Sequence, residues 1–336
     1  MTLDPELAGL LHHLAGVESV PELLTRPGGL YGSRPPQNAS RRSRPPDVAV
    51  RHLEVPGPNG AVPVRIYGAR PEDGPPAASD GGTGEGGSTA LVWMHGGNFA
   101  VGDLDMRESD QLGREVAARS GGVVVCVGYR LALDGVHFPV PHEDVLAAWF
   151  WTREHARELG ADPSRICLGG ASVGGNLAVG AALYLMDAGL QPPAKLVLAY
   201  PFLHGELPGE LPAAPPHDLS SAGLLPPFLR FTDEDCRDML ENYIGGPLAM
   251  ASSYAMPGHA DPAGLPPSAV LACEHDDLRF SAEAFVEGLR AADVETSYRL
   301  EEGAFHGYLN HSAALGLVRR GLSFLAAELE SAKPFQ

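Results

Sequence analysis

The chain is poor in basic residues and contains no long apolar run. Its 336 residues include 24 Lys and Arg against 42 Asp and Glu, a formal net charge of −18 at pH 7. Such a surface repels phosphate groups, so we expect no nucleic-acid partner, although Arg41-Arg42-Ser43-Arg44 forms a short basic cluster. No stretch approaches the roughly 18 apolar residues that span a bilayer, so a membrane protein is not expected. The first residues also lack a basic region followed by an apolar core, which predicts that no secretion signal is present.

Cysteine is scarce as well, with four in the chain. Cys126, Cys167 and Cys273 lie in strand-like apolar runs, where cysteine behaves as a small buried apolar residue. Such thiols suit a reducing compartment, so we expect a cytoplasmic location. With 44% hydrophobic residues, the chain can form one large catalytic domain with a smaller cap.

The segment Gly170-Ala171-Ser172-Val173-Gly174 is the most informative one. It follows an apolar run at 165–169 that fits a buried strand, and it precedes a helix-like pattern at 173–188. A serine at the apex of a sharp strand-to-helix turn needs very small residues two positions before and two positions after it. With 41 glycines in the chain the bare pattern is weak, but its setting predicts that Ser172 is a nucleophile.

A glycine turn upstream complements this serine. The apolar strand 90–94 runs into His95-Gly96-Gly97-Asn98-Phe99. Glycines directly after a strand leave backbone N–H groups free to point into a pocket. We therefore predict that the N–H groups of Gly96, Gly97 and Val173 form an oxyanion hole. His95 is interpreted as a brace for the turn, not as a proton donor.

Two later strand ends supply the other catalytic groups. Strand 268–273 ends in Glu274-His275-Asp276-Asp277, and the segment 296–300 alternates like a strand before His306. We predict Asp276 as the acid and His306 as the base, while Asp277 and Glu274 remain alternatives for the acid. His311, near the start of the final helix, is interpreted as a capping or surface residue.

The rest of the chain alternates between strand and helix patterns. A hairpin at 48–55 and 62–67 precedes strands at 90–94, 123–127, 165–169 and 195–200 and helices at 105–119, 141–159 and 173–188. This alternation predicts a mostly parallel sheet with helices on both faces. Within helix 141–159 the aromatic residues 149–151 are interpreted as core, and the Gly- and Pro-rich segment 74–89 as a surface loop.

A long excursion separates the strand at 195–200 from the strand at 268. It is Pro-rich at 208–227 and helix-like at 232–243, and an insertion of this length is usually a lid or binding element. We predict that residues 202–262 and residues 1–45, which include a helical run at 5–15, form a cap over Ser172. The catalytic domain then comprises 46–201 and 263–336. The cap residues predicted to line the substrate pocket are Leu225, Phe228 and Phe231, together with Leu224 and Leu229.

The order serine, acid, histidine and the motifs around it resemble the hormone-sensitive lipase-like group of bacterial esterases. The resemblance extends from about Val48 to the C-terminus. It implies an α/β-hydrolase fold with an eight-stranded sheet, a carboxylic ester hydrolase acting on short or medium acyl groups, and no metal or organic cofactor. The motifs that carry it are His95 to Phe99, Tyr129-Arg130-Leu131-Ala132, His137-Phe138-Pro139, Glu143-Asp144, Gly170 to Asn176, Asp276 to Arg279 and Phe305-His306-Gly307.

The chain departs from the family pattern at three places. Asn98 stands where a third glycine is usual, and asparagine tolerates left-handed backbone better than most residues. Ala171 replaces the acidic residue that usually precedes the nucleophile. The loop at 133–136 is about one residue longer than usual. Asn98 and Phe99 are further candidates for contact with the substrate.

These features predict a serine hydrolase that removes a short acyl group, such as acetyl, from a small metabolite ester through an acyl-enzyme. The same site could also serve acyl transfer, amide hydrolysis or an elimination, and a ligand-binding protein without catalysis is a further alternative. The expected partner is a small-molecule ester. Exposed edge strands leave a homodimer open.

Overall fold

A computed structural model describes residues 3–11, 45–68, 87–208, 225 and 229–335, and within these ranges eight strands form one sheet. The strands are β1 (Val50–Val55), β2 (Val62–Tyr67), β3 (Ser88–Met94), β4 (Val123–Val127), β5 (Ala161–Ala171), β6 (Leu196–Ala199), β7 (Ser268–His275) and β8 (Thr296–Phe305).

The strands lie in the order β1-β2-β4-β3-β5-β6-β7-β8. Strand β2 is antiparallel to β1 and to β4, and all the other neighbouring strands are parallel. The prediction of a mostly parallel eight-stranded sheet is therefore confirmed. The carboxyl ends of its parallel strands point to one edge, where α/β sheets carry their sites.

The helices alternate with the strands along the chain. They are α1 (Pro5–Ala8), α2 (Asp110–Ser120), α3 (Val140–Glu154), α4 (Ala156–Leu159), α5 (Val173–Asp187), α6 (Asp233–Ile244), α7 (Arg279–Ala291) and α8 (Gly316–Glu330). Short 3₁₀ turns span Leu248–Met250, Pro257–His259 and Tyr308–Asn310.

Three helix boundaries differ from the prediction. The helix expected at 105–119 begins only at Asp110, because Asp103 Oδ1 accepts the N–H groups of Asp105 and Met106 and holds this stretch in turns. The helix expected at 141–159 is divided into α3 and α4 at His155. Helix α1 ends at Ala8, and residues 12–44 lie outside the described ranges.

The sheet is apolar on both faces, and this is why its strands appear as continuous apolar runs. In β3, Val92 and Met94 belong to one buried cluster, while Leu91 and Trp93 belong to the other. Helices α3, α5, α6 and α7 pack into the first cluster and helices α2 and α8 into the second. Each fully buried aliphatic side chain contributes about 1.5–3 kcal/mol, so the covered sheet is a rigid base for the strand ends.

The expectation of buried cysteines is confirmed for all four, which are free thiols in the core. The expectation of core packing for the aromatic residues of α3 is confirmed for Trp149, which is buried, and for Trp151, which is partly buried and packs against the first cluster. Phe150 is 41% exposed, because it lies on the outer face of the helix. It lines a surface cavity of about 510 Å³ together with Trp151 and Tyr184.

The connection from β6 to β7 contains α6 and two of the 3₁₀ turns. Residues 209–224 and 226–228 of this connection lie outside the described ranges, as do residues 74–86 of the predicted surface loop. The last two residues of that loop, Ser88 and Thr89, belong to β3. Within the described part of the chain, no helix has the length and apolar character needed to cross a membrane.

Candidate active site

Ser172 lies at the turn between β5 and α5 and has a strained backbone. Its φ is 53° and its ψ is −120°, a conformation that L-residues rarely adopt. The two flanking glycines are required by space: a Cβ on Gly170 would lie 2.3 Å from backbone atoms of Gly174, and a Cβ on Gly174 would lie 2.3 Å from the Met94 carbonyl oxygen. The tight turn between strand and helix therefore depends on both glycines, as the sequence motif indicates.

Three predicted side chains form one hydrogen-bonded chain at this turn. His306 Nε2 lies 2.9 Å from Ser172 Oγ, and His306 Nδ1 lies 2.7 Å from Asp276 Oδ2. Asp276 follows β7, and His306 follows β8. All three residues are at most 7% exposed, so the arrangement is shielded from bulk water.

The alternative acids have other partners. Asp277 accepts two hydrogen bonds from the Arg230 guanidinium, at 2.8 and 3.1 Å, and one from the Phe231 N–H at 2.9 Å. Glu274 Oε2 accepts the Gly303 N–H at 2.8 Å. Among these carboxylates, Asp276 is the one that contacts the imidazole.

The protonation of His306 follows from its partners. A carboxylate only accepts hydrogen bonds, so Nδ1 carries the proton and Nε2 accepts from the Ser172 hydroxyl. Burial lowers the pKa of His306, but the Asp276 carboxylate, with smaller contributions from the charges of Glu108 and Asp277, raises that pKa above 6.5 overall. The neutral tautomer suited to a general base is thus selected by the geometry.

The glycine turn after β3 lies beside Ser172, but its first amide is occupied. Gly96 N–H donates to Glu108 Oε2 at 2.8 Å, so it differs from the predicted free oxyanion donor. In the described ranges, the N–H groups of Gly97, Asn98 and Val173 have no acceptor from the protein. Among the amides of the glycine turn and the elbow, these three are therefore candidate oxyanion donors, and that of Gly96 is not.

The turn is strained where the sequence departs from glycine. Asn98 and Phe99 have φ values of 54° and 59°, and the left-handed backbone expected for Asn98 is present. Two contacts brace the turn: Tyr129 Oη donates to the His95 carbonyl at 2.9 Å, and its ring stacks on the His95 ring at 4.6 Å. His95 Nδ1 lies 2.6 Å from the Gly96 carbonyl oxygen. Burial lowers the pKa of His95, so the ring stays neutral in this bracing position.

Glu108 is a residue near the site that the sequence analysis missed. Its carboxyl group is 2% exposed and lies between the glycine turn and the segment that follows His306. It belongs to a short polar stretch before α2, where a glutamate is usually solvated. Its neighbours in sequence carry no signal of this burial, which arises from contact with Asn310, 202 positions away.

The residues predicted to line the pocket lie at different distances from Ser172 and His306. Phe231 has its ring 4.8 Å from the His306 ring, edge to face. Phe99 is fully buried, with its ring stacked on Tyr243 at 3.9 Å, so it packs the turn against α6. Leu225 is buried in the cluster with α8, Leu229 is buried in the same cluster, and Leu224 and Phe228 lie outside the described residues.

The interpretation of His311 as a capping or surface residue is wrong. It is fully buried, because its ring packs edge-on against Phe305 at 5.5 Å and its carbonyl accepts from Gln111 Nε2 at 2.8 Å. Helix α8 begins only at Gly316. Burial lowers the pKa of His311 to about 3, so this ring stays neutral.

Ala171 is fully buried in the apolar cluster beneath the turn.

Within the described ranges, no group of three or more His, Cys, Asp or Glu side chains has an arrangement that could hold a metal ion.

The chain is similar to known esterases over most of its length. A family model described as the alpha/beta hydrolase fold matches residues 91–310. Carboxylesterase NlhH of Mycobacterium tuberculosis is 32% identical to this chain, and the alignment covers 80% of this chain and 79% of NlhH. Esterase LipI of the same organism is 31% identical, with 97% of this chain and 95% of LipI covered. The solved structure of a hyperthermophilic esterase from Pyrobaculum calidifontis matches with a TM-score of 0.76 at 28% identity, covering 98% of this chain and 99% of that one.

The strand order, the elbow serine and these similarities agree with one another. The chain therefore belongs to the α/β-hydrolase fold family, within its hormone-sensitive lipase-like group of carboxylic ester hydrolases.

Proposed function

We propose that Ser172, activated by His306 and oriented by Asp276, hydrolyses a short-chain carboxylic ester of a small molecule through an acyl-enzyme. The observation that carries this proposal is the continuous hydrogen-bonded chain from Asp276 Oδ2 through His306 to Ser172 Oγ, at 2.7 and 2.9 Å, beside unpaired backbone amides. The relatives are named as carboxylesterases and esterases, which supports ester hydrolysis as the reaction.

In the first half of the reaction, Ser172 Oγ attacks the ester carbonyl carbon while its proton moves to His306 Nε2. The carbonyl π electrons move to the oxygen and form a tetrahedral oxyanion. The imidazolium that results is stabilised by the carboxylate of Asp276, which remains ionised. When the oxyanion collapses, the bond to the alkoxy oxygen breaks, and the leaving alcohol takes the proton from His306.

In the second half, a water molecule attacks the acyl-enzyme carbonyl while His306 takes one of its protons. The second tetrahedral oxyanion collapses with departure of Ser172 Oγ, which recovers its proton from His306. The products are a carboxylic acid and an alcohol, and the protein returns to its starting state.

The oxyanion is held in this proposal by the N–H groups of Gly97, Asn98 and Val173. This set of donors differs from the one predicted from the sequence: it contains the Asn98 amide and omits the Gly96 amide, which already donates to Glu108. A single donor of this kind typically contributes about 10²- to 10³-fold in rate, since it points at a charge that develops only in the transition state.

We further propose that residues 202–262, with the N-terminal segment 1–45, cover the site as a cap. Phe231 against the His306 ring and the Arg230–Asp277 ion pair support a closed arrangement over the triad. The buried stack of Phe99 on Tyr243 fills space behind the glycine turn, which favours short acyl groups over long ones.

The experiment uses 4-nitrophenyl acetate, butyrate and octanoate with the wild type, Ser172→Ala and Ser323→Ala. We expect turnover that is highest with the short esters, a loss of about 10⁶-fold in kcat for Ser172→Ala, and no change for the control Ser323→Ala, which is exposed on α8. A fluorophosphonate probe should add one phosphonyl group to Ser172, detected by mass spectrometry of the peptide.

The same site would serve acyl transfer or amide hydrolysis, and the products separate these reactions from ester hydrolysis. Release of free acetate in amounts equal to the alcohol supports hydrolysis. Turnover that survives in Ser172→Ala, or a wild type that neither turns over these esters nor reacts with the probe, would contradict the proposal.

A further inference from the structure

Glu108 is a buried carboxyl group next to the catalytic residues that the mechanism above does not use. Its Oε2 accepts the Gly96 N–H at 2.8 Å, and its Oε1 accepts from Tyr200 Oη at 2.5 Å and from Asn310 Nδ2 at 2.9 Å. Its own N–H donates to Asn310 Oδ1 at 3.1 Å, and its carbonyl accepts from Trp93 Nε1 at 2.8 Å. The residue is therefore fixed by backbone and side chain together.

The contacts indicate which form of the carboxyl group the site binds. Three donors converge on its two oxygens, and a protonated acid would have to turn its own proton toward one of these donors. Burial raises the pKa of Glu108 overall, although the hydrogen bonds from Tyr200, Gly96 and Asn310 and the charge of His306 act in the opposite direction. The hydrogen-bonding geometry fits the carboxylate.

The three partners belong to separate parts of the active site. Gly96 begins the glycine turn that supplies the proposed oxyanion donors. Tyr200 directly follows β6, has a φ of 37°, and its ring lies 5.0 Å from the His306 ring. Asn310 belongs to the 3₁₀ turn that follows His306. One buried carboxylate thus connects the oxyanion turn with the histidine loop.

The contact with Gly96 bears directly on the nucleophile. A Cβ on Gly96 would lie 3.2 Å from Ser172 Cβ and 2.8 Å from Glu108 Oε2, so all three groups meet at one point. The hydrogen bond to Glu108 fixes the peptide plane between His95 and Gly96. Only the φ and ψ angles of Gly96 separate this plane from the Gly97 amide, and those of Gly97 separate it further from the Asn98 amide, so the bond restricts where both amides point.

From this arrangement we infer that Glu108 is a positioning residue for ester hydrolysis, which holds the oxyanion turn in place and stabilises the imidazolium of His306 through its fixed negative charge. The inference rests on the proposed function of Ser172 and His306. Glu108 touches neither the substrate nor the reacting atoms, and it acts through the turn and through space.

Besides Glu108, the carboxylates of Asp276 and Asp277 act on the imidazole and raise its pKa against the effect of burial. Tyr200 and Cys273 also lie close to Glu108, but burial raises the pKa of each well above its usual value, so both are neutral. Removal of the Glu108 charge therefore changes the field at His306 without a compensating ionisation of these two groups.

The variant Glu108→Gln tests the inference, because it keeps the shape and removes the charge. Whichever way the amide is oriented, its NH₂ group faces either the Gly96 N–H or the NH₂ group of Asn310, so one pair of donors is opposed. We expect kcat on 4-nitrophenyl acetate to fall about 10- to 100-fold, less than for a direct donor, with KM changed by less than about threefold. The acid limb of the kcat/KM profile should move to lower pH, since His306 loses a neighbouring negative charge.

The matched control is Glu115→Gln, which removes another buried carboxylate from the same region of the chain. Glu115 pairs with Arg119 on α2 and contacts no residue of the site. The Glu115→Gln variant should therefore have the same kcat and the same acid limb as the wild type. A Glu108→Gln variant with wild-type kcat and an unmoved acid limb would overturn the inference. A loss of activity with an unmoved acid limb would overturn the proposed stabilisation of the His306 imidazolium by the Glu108 charge.

A milder variant covers the case in which Glu108→Gln does not fold. Tyr200→Phe removes a single hydroxyl donor and keeps the ring against His306, and we expect a fall in kcat of about 3- to 10-fold with KM unchanged. Wild-type kcat in Tyr200→Phe would count against the network. Ser172→Ala measured beside these variants separates the two proposals: if it retains activity the proposed function fails, whereas an inactive Ser172→Ala with fully active Glu108 and Tyr200 variants refutes only the role of Glu108.

Discussion

Replacing Asp276 with asparagine turns one carboxylate oxygen into an NH₂ group at almost constant size. Asp276 Oδ2 accepts the His306 Nδ1–H at 2.7 Å, and Oδ1 accepts the Leu278 N–H at 2.9 Å. The single amide oxygen can serve only one of these donors. If it stays with Leu278, the NH₂ group faces Nδ1 and forces the imidazole proton onto Nε2, which then cannot accept the proton of Ser172.

The cost of this change can be stated from the geometry. The wrong tautomer and the lost charge together are expected to lower kcat about 10⁴-fold, as for the same substitution in other serine triads. This corresponds to about 5.4 kcal/mol of transition-state stabilisation. The flanking carboxylates do not replace Asp276, because Asp277 is held by Arg230 and Glu274 by the Gly303 N–H. KM should change little, because the substrate is bound before the proton moves.

The neighbouring variant Asp277→Asn is the matched control, since it makes the same chemical change one residue further on. It weakens the contacts with Arg230 and the Phe231 N–H but leaves the imidazole paired, so kcat should stay within about tenfold of the wild type. The assay is kcat and KM on 4-nitrophenyl acetate at about pH 8, with the wild type and both variants measured side by side. Unfolding temperatures measured on the same samples separate loss of fold from loss of chemistry.

The ratio of the two variants decides the assignment of the acid. Asp276→Asn should be at least about 10³-fold slower than Asp277→Asn. Equal losses in the two variants, or a larger loss in Asp277→Asn, would refute the reasoning. An Asp276→Asn enzyme within tenfold of the wild type would show that the 2.7 Å contact with His306 carries no catalytic weight.

Three further expectations can be checked in the same laboratory. Because the pKa of His306 is raised above 6.5 and its neutral form is the base, kcat/KM should fall as pH drops through that raised pKa, and an acid limb centred below 6.5 would contradict the assignment. Gly174→Ala should destabilise the fold by about 3 kcal/mol, because its Cβ would lie 2.3 Å from the last carbonyl oxygen of β3. Gly288→Ala is the control within α7: its Cβ would have its nearest contact at 3.6 Å, with Pro262, so thermal unfolding should show a neutral or stabilising effect. Arg230→Ala should cost about 1 kcal/mol of stability and raise KM more than it lowers kcat, since it releases Asp277 and the segment that carries Phe231; an unchanged KM would argue against a role of this ion pair in the pocket.

The amino-acid sequence by itself determined the frame of this protein. Continuous apolar runs separated by amphipathic segments specify a buried parallel sheet, because only strands covered on both faces have that pattern. The two glycines around Ser172 specify the elbow, because no side chain fits at either position. The chain order of Ser172, Asp276 and His306 limits the choice among serine-hydrolase folds. Each of these motifs lies directly after a strand, and the ends of parallel strands meet at one edge of the sheet.

The tertiary structure alone decided what each group near that edge contacts. Asp276, Asp277 and Glu274 are almost equivalent in sequence, and only the direction of each side chain after β7 separates the partner of His306 from the partners of Arg230 and Gly303. Local patterns carry no information about such directions.

The same limit explains the oxyanion turn and Glu108. A glycine turn predicts free amides, but whether Gly96 is free depends on a carboxylate that reaches it from 12 residues further on and that is held by Asn310. The burial of His311 has the same origin, because it comes from Phe305 and from Gln111, 200 positions away. Periodicity reports which face of an element is buried, whereas hydrogen bonds between distant segments exist only once the sheet has brought those segments together.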